Sequence, residues 1–180
     1  MKIFTVEDFN GLPVVEGVKQ CPTGDYSAIS RFGEYCSFGE YCIFGEYCSF
    51  GDECSFGEYC RFGEYCSFGD ECSFGACCRF GRECNFGREC SFGRECSFGA
   101  CCRFGRECRV CGREVAGFGM RYISGLGEFN RTLYVWNTKD GIYCQAGCFF
   151  GSRSEFIEAV TKKYGSNHKY IKAVDFLISE

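Results

Sequence analysis

The chain is predicted to be a mainly β protein, a parallel β-solenoid of hexapeptide repeats followed by a small α+β C-terminal unit. Two observations carry that expectation. From Phe32 to Cys108 the sequence repeats Phe-Gly-x-x-Cys-x thirteen times without a slip. After Cys108 the period stops, and glycine, strand and helix signals take over. Fixed self-similarity sets the architecture of a repeat chain before any other signal does.

Residues 1–25 carry no repeat and read as an N-terminal cap, because the end units of an array must close its core. Lys2 to Val6 and Val14 to Val18 suit short strands. Gly11-Leu12-Pro13 and Pro22-Thr23-Gly24 suit turns. Residues 26–115 form the repeat array, with Tyr26 and Ser30 as a degraded first unit in phase. A strand sends alternate side chains to opposite faces. Phe and Cys stand four apart, so both face inward, and the variable residues between them face water. Gly after each Phe fits either an unusual φ or a close backbone approach. If each wall uses one hexapeptide, three walls close a triangular coil of eighteen residues. Thirteen repeats then give about four coils, roughly 4.8 Å apart. Both ladders read first as core, the Cys as a small buried hydrophobe.

This period is similar to the hexapeptide repeat of left-handed parallel β-helices. In those repeats an aliphatic residue is followed by a small one, two free ones and a small Ser, Thr, Ala, Val or Cys. The resemblance covers residues 26–108, and the left hand is implied by it alone. Phe in place of the aliphatic residue implies a wider prism.

Residues 116–180 read as a small α+β domain. Arg131 to Asn137 suits a strand, Asp140-Gly141 a hairpin turn, and Ile142 to Ala146 the returning strand. Ser152 and Glu155 have capping-box spacing, which starts a helix over about 153–164 that Gly165 ends. A second helix from about 168 carries Tyr170, Ile171, Val174, Leu177 and Ile178 at helical spacing.

Charge and cysteine usage narrow the function classes. The net charge is −4, yet residues 31–78 hold two basic and nine acidic side chains, and residues 79–114 hold eight and five. The solenoid is thus expected to be acidic in its early coils and basic in its later ones. Such fields select partners rather than folds. Met1 to Asn10 carries Glu7 and Asp8 and no long apolar run, so no secretory leader is expected there. Thirteen of the nineteen Cys belong to the ladder and the total is odd, which fits reduced thiols in a cytoplasm. No stretch reaches the length of a membrane span.

With an eighteen-residue coil, outward residues stack in columns. One column reads Glu34, Asp52, Asp70, Arg88 and Arg106, and another holds Glu46, Glu64 and Arg82. Tyr41 and Tyr59 stack on one wall, followed by Cys77 and Glu95. Tyr supplies contact area at low entropy cost, so exposed pairs such as Tyr41 and Tyr59 beside carboxylates suit a protein contact, and the Glu34, Asp52 and Asp70 column adds the acidic face of the early coils. The alternative is that they only cover the walls. Arg82, Arg88, Arg94 and Arg106 suit nucleic acid, against the interleaved Glu residues. Trp136 suits a specific interface in the C-terminal unit. Cys77 and Cys101 occupy variable positions and are the expected exposed thiols. Cys144, Cys148 and His168 match zinc spacing poorly, so neither metal nor cofactor is expected.

The whole chain resembles phage and prophage proteins of gut Firmicutes, in which a Phe-Gly-x-x-Cys array precedes a compact C-terminal unit. Met1-Lys2-Ile3-Phe4, Cys21-Pro22-Thr23-Gly24-Asp25-Tyr26 and Ala146-Gly147-Cys148-Phe149-Phe150-Gly151 carry the resemblance. It brings no catalytic residues, and it implies a viral accessory protein acting inside a bacterial cell. The expected function is therefore a non-catalytic binding protein for a host macromolecule, a host protein foremost. Inhibition of a defence nuclease is one form of this. Homo-oligomer formation through the C-terminal unit is a companion expectation. Nucleic-acid binding by the basic coils is the alternative. Acyl transfer, common among left-handed β-helices, lacks its usual His beside the solenoid, since the one His, His168, lies outside the array.

Overall fold

A computed structural model of the protein describes residues 1–99, 101–126 and 131–179. The chain forms two compact units, residues 1–112 and 113–180. The first is a parallel β-solenoid of about five turns. Its first wall runs Val14–Val15, Val18–Cys21, Cys36–Phe38, Ser55–Phe56, Ser73–Phe74, Ser91–Phe92 and Arg109–Val110. The second wall stacks Ile43–Phe44, Arg61–Phe62, Arg79–Phe80 and Ser97–Phe98. The third stacks Arg31–Phe32, Ser49–Phe50, Ser67–Phe68, Asn85–Phe86 and Arg103–Phe104. The hexapeptide array is paired in parallel with an eighteen-residue register, Phe50 opposite Phe68 and Phe68 opposite Phe86.

The core consists of three columns of phenylalanine. Along a column the rings lie face to face, Phe50 on Phe68 at 4.9 Å and 2°. Between walls they meet edge to face, Phe68 to Phe74 at 5.0 Å and 89°. The edge-to-face contacts suit the ring quadrupole, and each such pair adds about 0.5–1.5 kcal/mol beyond burial. The backbone bonds run from coil to coil. Ser67 N–H donates to Cys48 O at 2.8 Å, Gly69 N–H to Phe50 O at 3.0 Å and Glu71 N–H to Arg88 O at 2.8 Å.

The ladder cysteines do more than fill space. Each thiol from Cys54 to Cys90 donates to a glycine carbonyl one coil earlier, for example Cys72 Sγ to Gly51 O at 3.4 Å. A thiol is a weak donor and a good hydrophobe, so the buried Cys side chain meets the half-buried carbonyl without the desolvation cost of a hydroxyl.

From Gly39 to Gly105 the glycine after Phe serves close approach, not unusual φ. A Cβ on Gly81 would stand 2.6 Å from Glu64 N and Gly63 C. The left-handed φ lies two residues later, at the residue before each ladder Cys, with Tyr41 at 57° and Glu71 at 59°. The coils therefore turn on non-glycine residues.

The cap departs from its expected form. Lys2 to Val6 is not a strand; Val6–Asn10 is a short helix. Its start is a capping box, with Asp8 N–H donating to Thr5 Oγ1 at 3.1 Å and Thr5 N–H to Asp8 Oδ2 at 3.0 Å. Val14–Val15 and Val18–Cys21 form a hairpin around Glu16 and Gly17, whose φ values are 51° and 83°. Tyr26 is buried in phase, but Ser30 is exposed, and Ile29 one residue earlier supplies the inward side chain. Cap rings extend a core column, Phe4 on Tyr26 at 4.6 Å and Tyr26 over Phe44 at 5.6 Å.

The second unit is a four-stranded antiparallel sheet with two helices. Arg113–Leu126 pairs with Arg131–Thr138, that strand with Gly141–Ala146, and that with Phe149–Ser152. Arg153–Tyr164 begins with the expected Ser152/Glu155 capping box, and Lys169–Ser179 follows. Leu133, Val135, Cys144 and Ala146 pack with Phe156, Val160, Tyr170, Val174 and Leu177. The fourteen-residue strand Arg113–Leu126 went unread because Gly117, Gly119 and Gly125 interrupt it at positive φ. Phe149–Ser152 is a further strand beyond the expected pair.

Candidate functional site

The outward residues of the solenoid are held by its corners. Each corner is the Gly-x-x-Cys segment between two walls. Its second variable residue sits in the left-handed region, which costs an ordinary residue about 1–2 kcal/mol. Coil-to-coil bonding offsets that cost, since Tyr41 N–H donates to Glu58 O at 2.9 Å and Tyr59 N–H to Ala76 O at 2.9 Å. The side chain at this position therefore leaves the corner in one fixed direction, and equivalent side chains stack.

Tyr41 and Tyr59 stack on the corner between the first and second walls, rings 4.9 Å apart at 4°. Both are exposed, at 51% and 43%. Tyr47 and Tyr65 form a matching stack on the corner between the second and third walls, at 4.9 Å and 5°. The second wall is thus bordered on both sides by paired rings. Cys77, with Tyr41 and Glu58, raises the Tyr59 phenol above its ordinary pKa.

The charged columns divide into paired and open members. Asp52 Oδ1 accepts from Asp70 N–H at 2.8 Å, and Asp70 Oδ1 from Arg88 N–H at 2.7 Å. Arg88 Nε also donates to Asp70 Oδ2 at 3.1 Å. These bonds from Arg88, backbone and side chain, lower the Asp70 pKa. Arg82 grips Glu64 with Nε and Nη2 at 3.2 and 3.4 Å. Both ion pairs lie where the acidic coils give way to the basic ones, and exposed pairs of this kind add little stability. Glu34, Arg94 and Arg106 are exposed on their corners.

Two residues outside the expected set complete this surface. Arg61 and Arg79 are register partners on the second wall. Among the described residues neither guanidinium has a hydrogen bond or an ion pair. Arg61 and Arg79 share a cleft of about 580 Å³ with Tyr41, Tyr59, Cys77 and Glu95. Their signal was legible as two arginines eighteen residues apart directly after ladder cysteines.

Trp136 is not an interface residue. It is fully buried, and its indole N–H donates to Gln145 Oε1 at 3.3 Å. Its strand, Arg131–Thr138, is buried on both faces from Leu133 to Trp136. Among the described residues, the exposed aromatics of this unit are Tyr164 and Phe176. His168 lies between the rings of Tyr164 and Tyr170, at 4.6 and 5.1 Å.

Cys77 is half-buried and Cys101 exposed, and Cys148 is a further exposed thiol. Burial pushes the Cys144 thiol up to about 12. Among the described residues, no group of three or more His, Cys, Asp or Glu side chains is placed to hold a metal ion. Among them also, no helix is long and apolar enough to cross a membrane. No family model, curated protein or solved structure matches the chain.

Proposed function

We propose that this is a non-catalytic binding protein whose solenoid presents its second wall to a macromolecular partner, a protein foremost. One observation carries the reading: the stacked, exposed Tyr41 and Tyr59 stand beside the unpaired Arg61 and Arg79 on a backbone-fixed corner. Rigid Tyr and Arg side chains are the types that dominate protein interfaces. The opposed charge of early and late coils supports orientation of that partner during encounter. The C-terminal unit adds a second contact or self-association surface through Tyr164 and Phe176. On the resemblance to the phage proteins, the partner is a host macromolecule in the bacterial cytoplasm, and a defence nuclease is one such target.

Exchange of Tyr41 and Tyr59 together for Ala tests this. The double variant is expected to retain its fold and lose at least about tenfold in affinity for the partner captured by the native protein, the scale of one hot spot. Unchanged capture removes this wall from the interface. Binding that collapses steeply between 50 and 200 mM salt favours the alternative, nucleic acid on the basic coils.

A further inference from the structure

We infer that the cleft beside Tyr59 takes an aromatic side chain flanked by a carboxylate, presented by a protein segment. The inference rests on the reading of the second wall as the contact surface and names the chemistry that enters it.

The corner lattice makes the vacancy. Two successive coils place Glu40-Tyr41 and Glu58-Tyr59 on this corner, with ring on ring at 4.9 Å. The next coil places Ala76-Cys77 there, two small residues. The ring column thus stops at Tyr59 and leaves a notch over Cys77, in the cleft of about 580 Å³. A ring entering there would continue the column by stacking on Tyr59, in the offset geometry such pairs prefer.

The wall beside the notch supplies the second half of the recognition. Arg61 and Arg79 are directly opposed on parallel strands. Like charges in that position repel. Arg82 and Arg88 relieve their charge on Glu64 and Asp70 one coil earlier, but the residue one coil before Arg61 is Ile43. A carboxylate bridging the two guanidinium groups would remove the repulsion with charge-assisted hydrogen bonds.

The surrounding charge selects a polypeptide over a nucleic acid. Glu95 lines the same cleft, and Glu40 and Glu58 project from the same corner. Arg94 adds one positive charge to that corner, so three carboxylates still oppose a run of phosphates, whereas a single acidic residue beside an aromatic one can be set against the two wall arginines. A backbone amide of the segment can in addition donate to Glu95.

Cys77 reports occupancy, because it lies in the cleft, and Cys101 and Cys148 serve as internal references. The native protein is alkylated with iodoacetamide, with each thiol followed by mass spectrometry. The probes are an acetyl-Gly-Asp-Phe-Asp-Gly-amide peptide, its Asn-Leu-Asn counterpart and adenosine monophosphate. The Asp-Phe-Asp peptide is expected to slow alkylation of Cys77 about fivefold at four times its Kd, since only free protein reacts. Cys101 and Cys148 are expected to react at unchanged rates. The Asn-Leu-Asn peptide is expected to leave Cys77 unshielded, and Arg61→Gln with Arg79→Gln is expected to abolish shielding while leaving Tm in place. Shielding by adenosine monophosphate without shielding by the peptide overturns the inference in favour of a nucleotide. No shielding by any probe overturns it outright. If the Tyr41 and Tyr59 exchange abolishes partner capture while Cys77 stays unshielded, this inference fails and the wall reading stands. If shielding occurs but that exchange leaves capture intact, the wall reading fails instead.

Discussion

Phe68→Ala is expected to lower the stability of the solenoid by about 3–5 kcal/mol, the cost of emptying a buried aromatic site. Phe68 is 5% exposed and stacks on Phe50 at 4.9 Å and Phe86 at 5.0 Å. It also meets Phe62 and Phe74 edge to face at 5.1 and 5.0 Å. Backbone bonding fixes the coil spacing, so neighbouring rings cannot collapse far into the space left behind. At about 2–4 °C per kcal/mol for a chain of this size, the melting temperature should fall by roughly 6–20 °C. Thermal unfolding followed by circular dichroism reads this directly. An unchanged melting temperature would mean that the eighteen-residue coil, or its inward face, is wrong.

The second large effect comes from a methyl group added rather than removed. Gly81→Ala places a Cβ 2.6 Å from Glu64 N and Gly63 C, both backbone. Neither atom belongs to a side chain that could rotate away, so two coils must separate locally. Overpacking of this kind is expected to cost about 3 kcal/mol or more. Gly33 holds the same position in its repeat, but a Cβ there meets nothing within 4 Å. Gly33→Ala should therefore stay within about 0.5 kcal/mol of the native protein, as surface changes do. Chemical denaturation of the two variants side by side separates close approach from any general need for glycine. Equal effects would contradict the account.

The contrast between those glycines shows how far the sequence could be read. The period announced the coil, the inward Phe and Cys, and the columns of outward residues. It left two reasons open for glycine, and the coil-to-coil distance decides for close approach. The left-handed corner residues could not be read, because Tyr, Glu and Cys at that position carry no mark of positive φ. Val6–Asn10 could not be read as a helix, because five helical residues give too little periodicity to announce one. Trp136 was misread for a different reason. Its type suits an interface, and only the burial of both faces of its strand reveals a core role. The columns brought Tyr41 and Tyr59 together correctly in sequence. Arg61 and Arg79 stand at the wall position after the ladder Cys, which Ser fills in most other repeats, so only their eighteen-residue spacing marks them as a pair.

Site-directed photocrosslinking tests the central claim, that the second wall is the contact surface. A benzophenone side chain replaces Tyr59 in one variant and Glu89, exposed on the corner between the third and first walls, in another. Each is irradiated in cells that produce the protein, and the adducts are identified by mass spectrometry. The account predicts one protein adduct from the Tyr59 position and none from the Glu89 position. An adduct from Glu89 with none from Tyr59 would place the partner on another wall and contradict it.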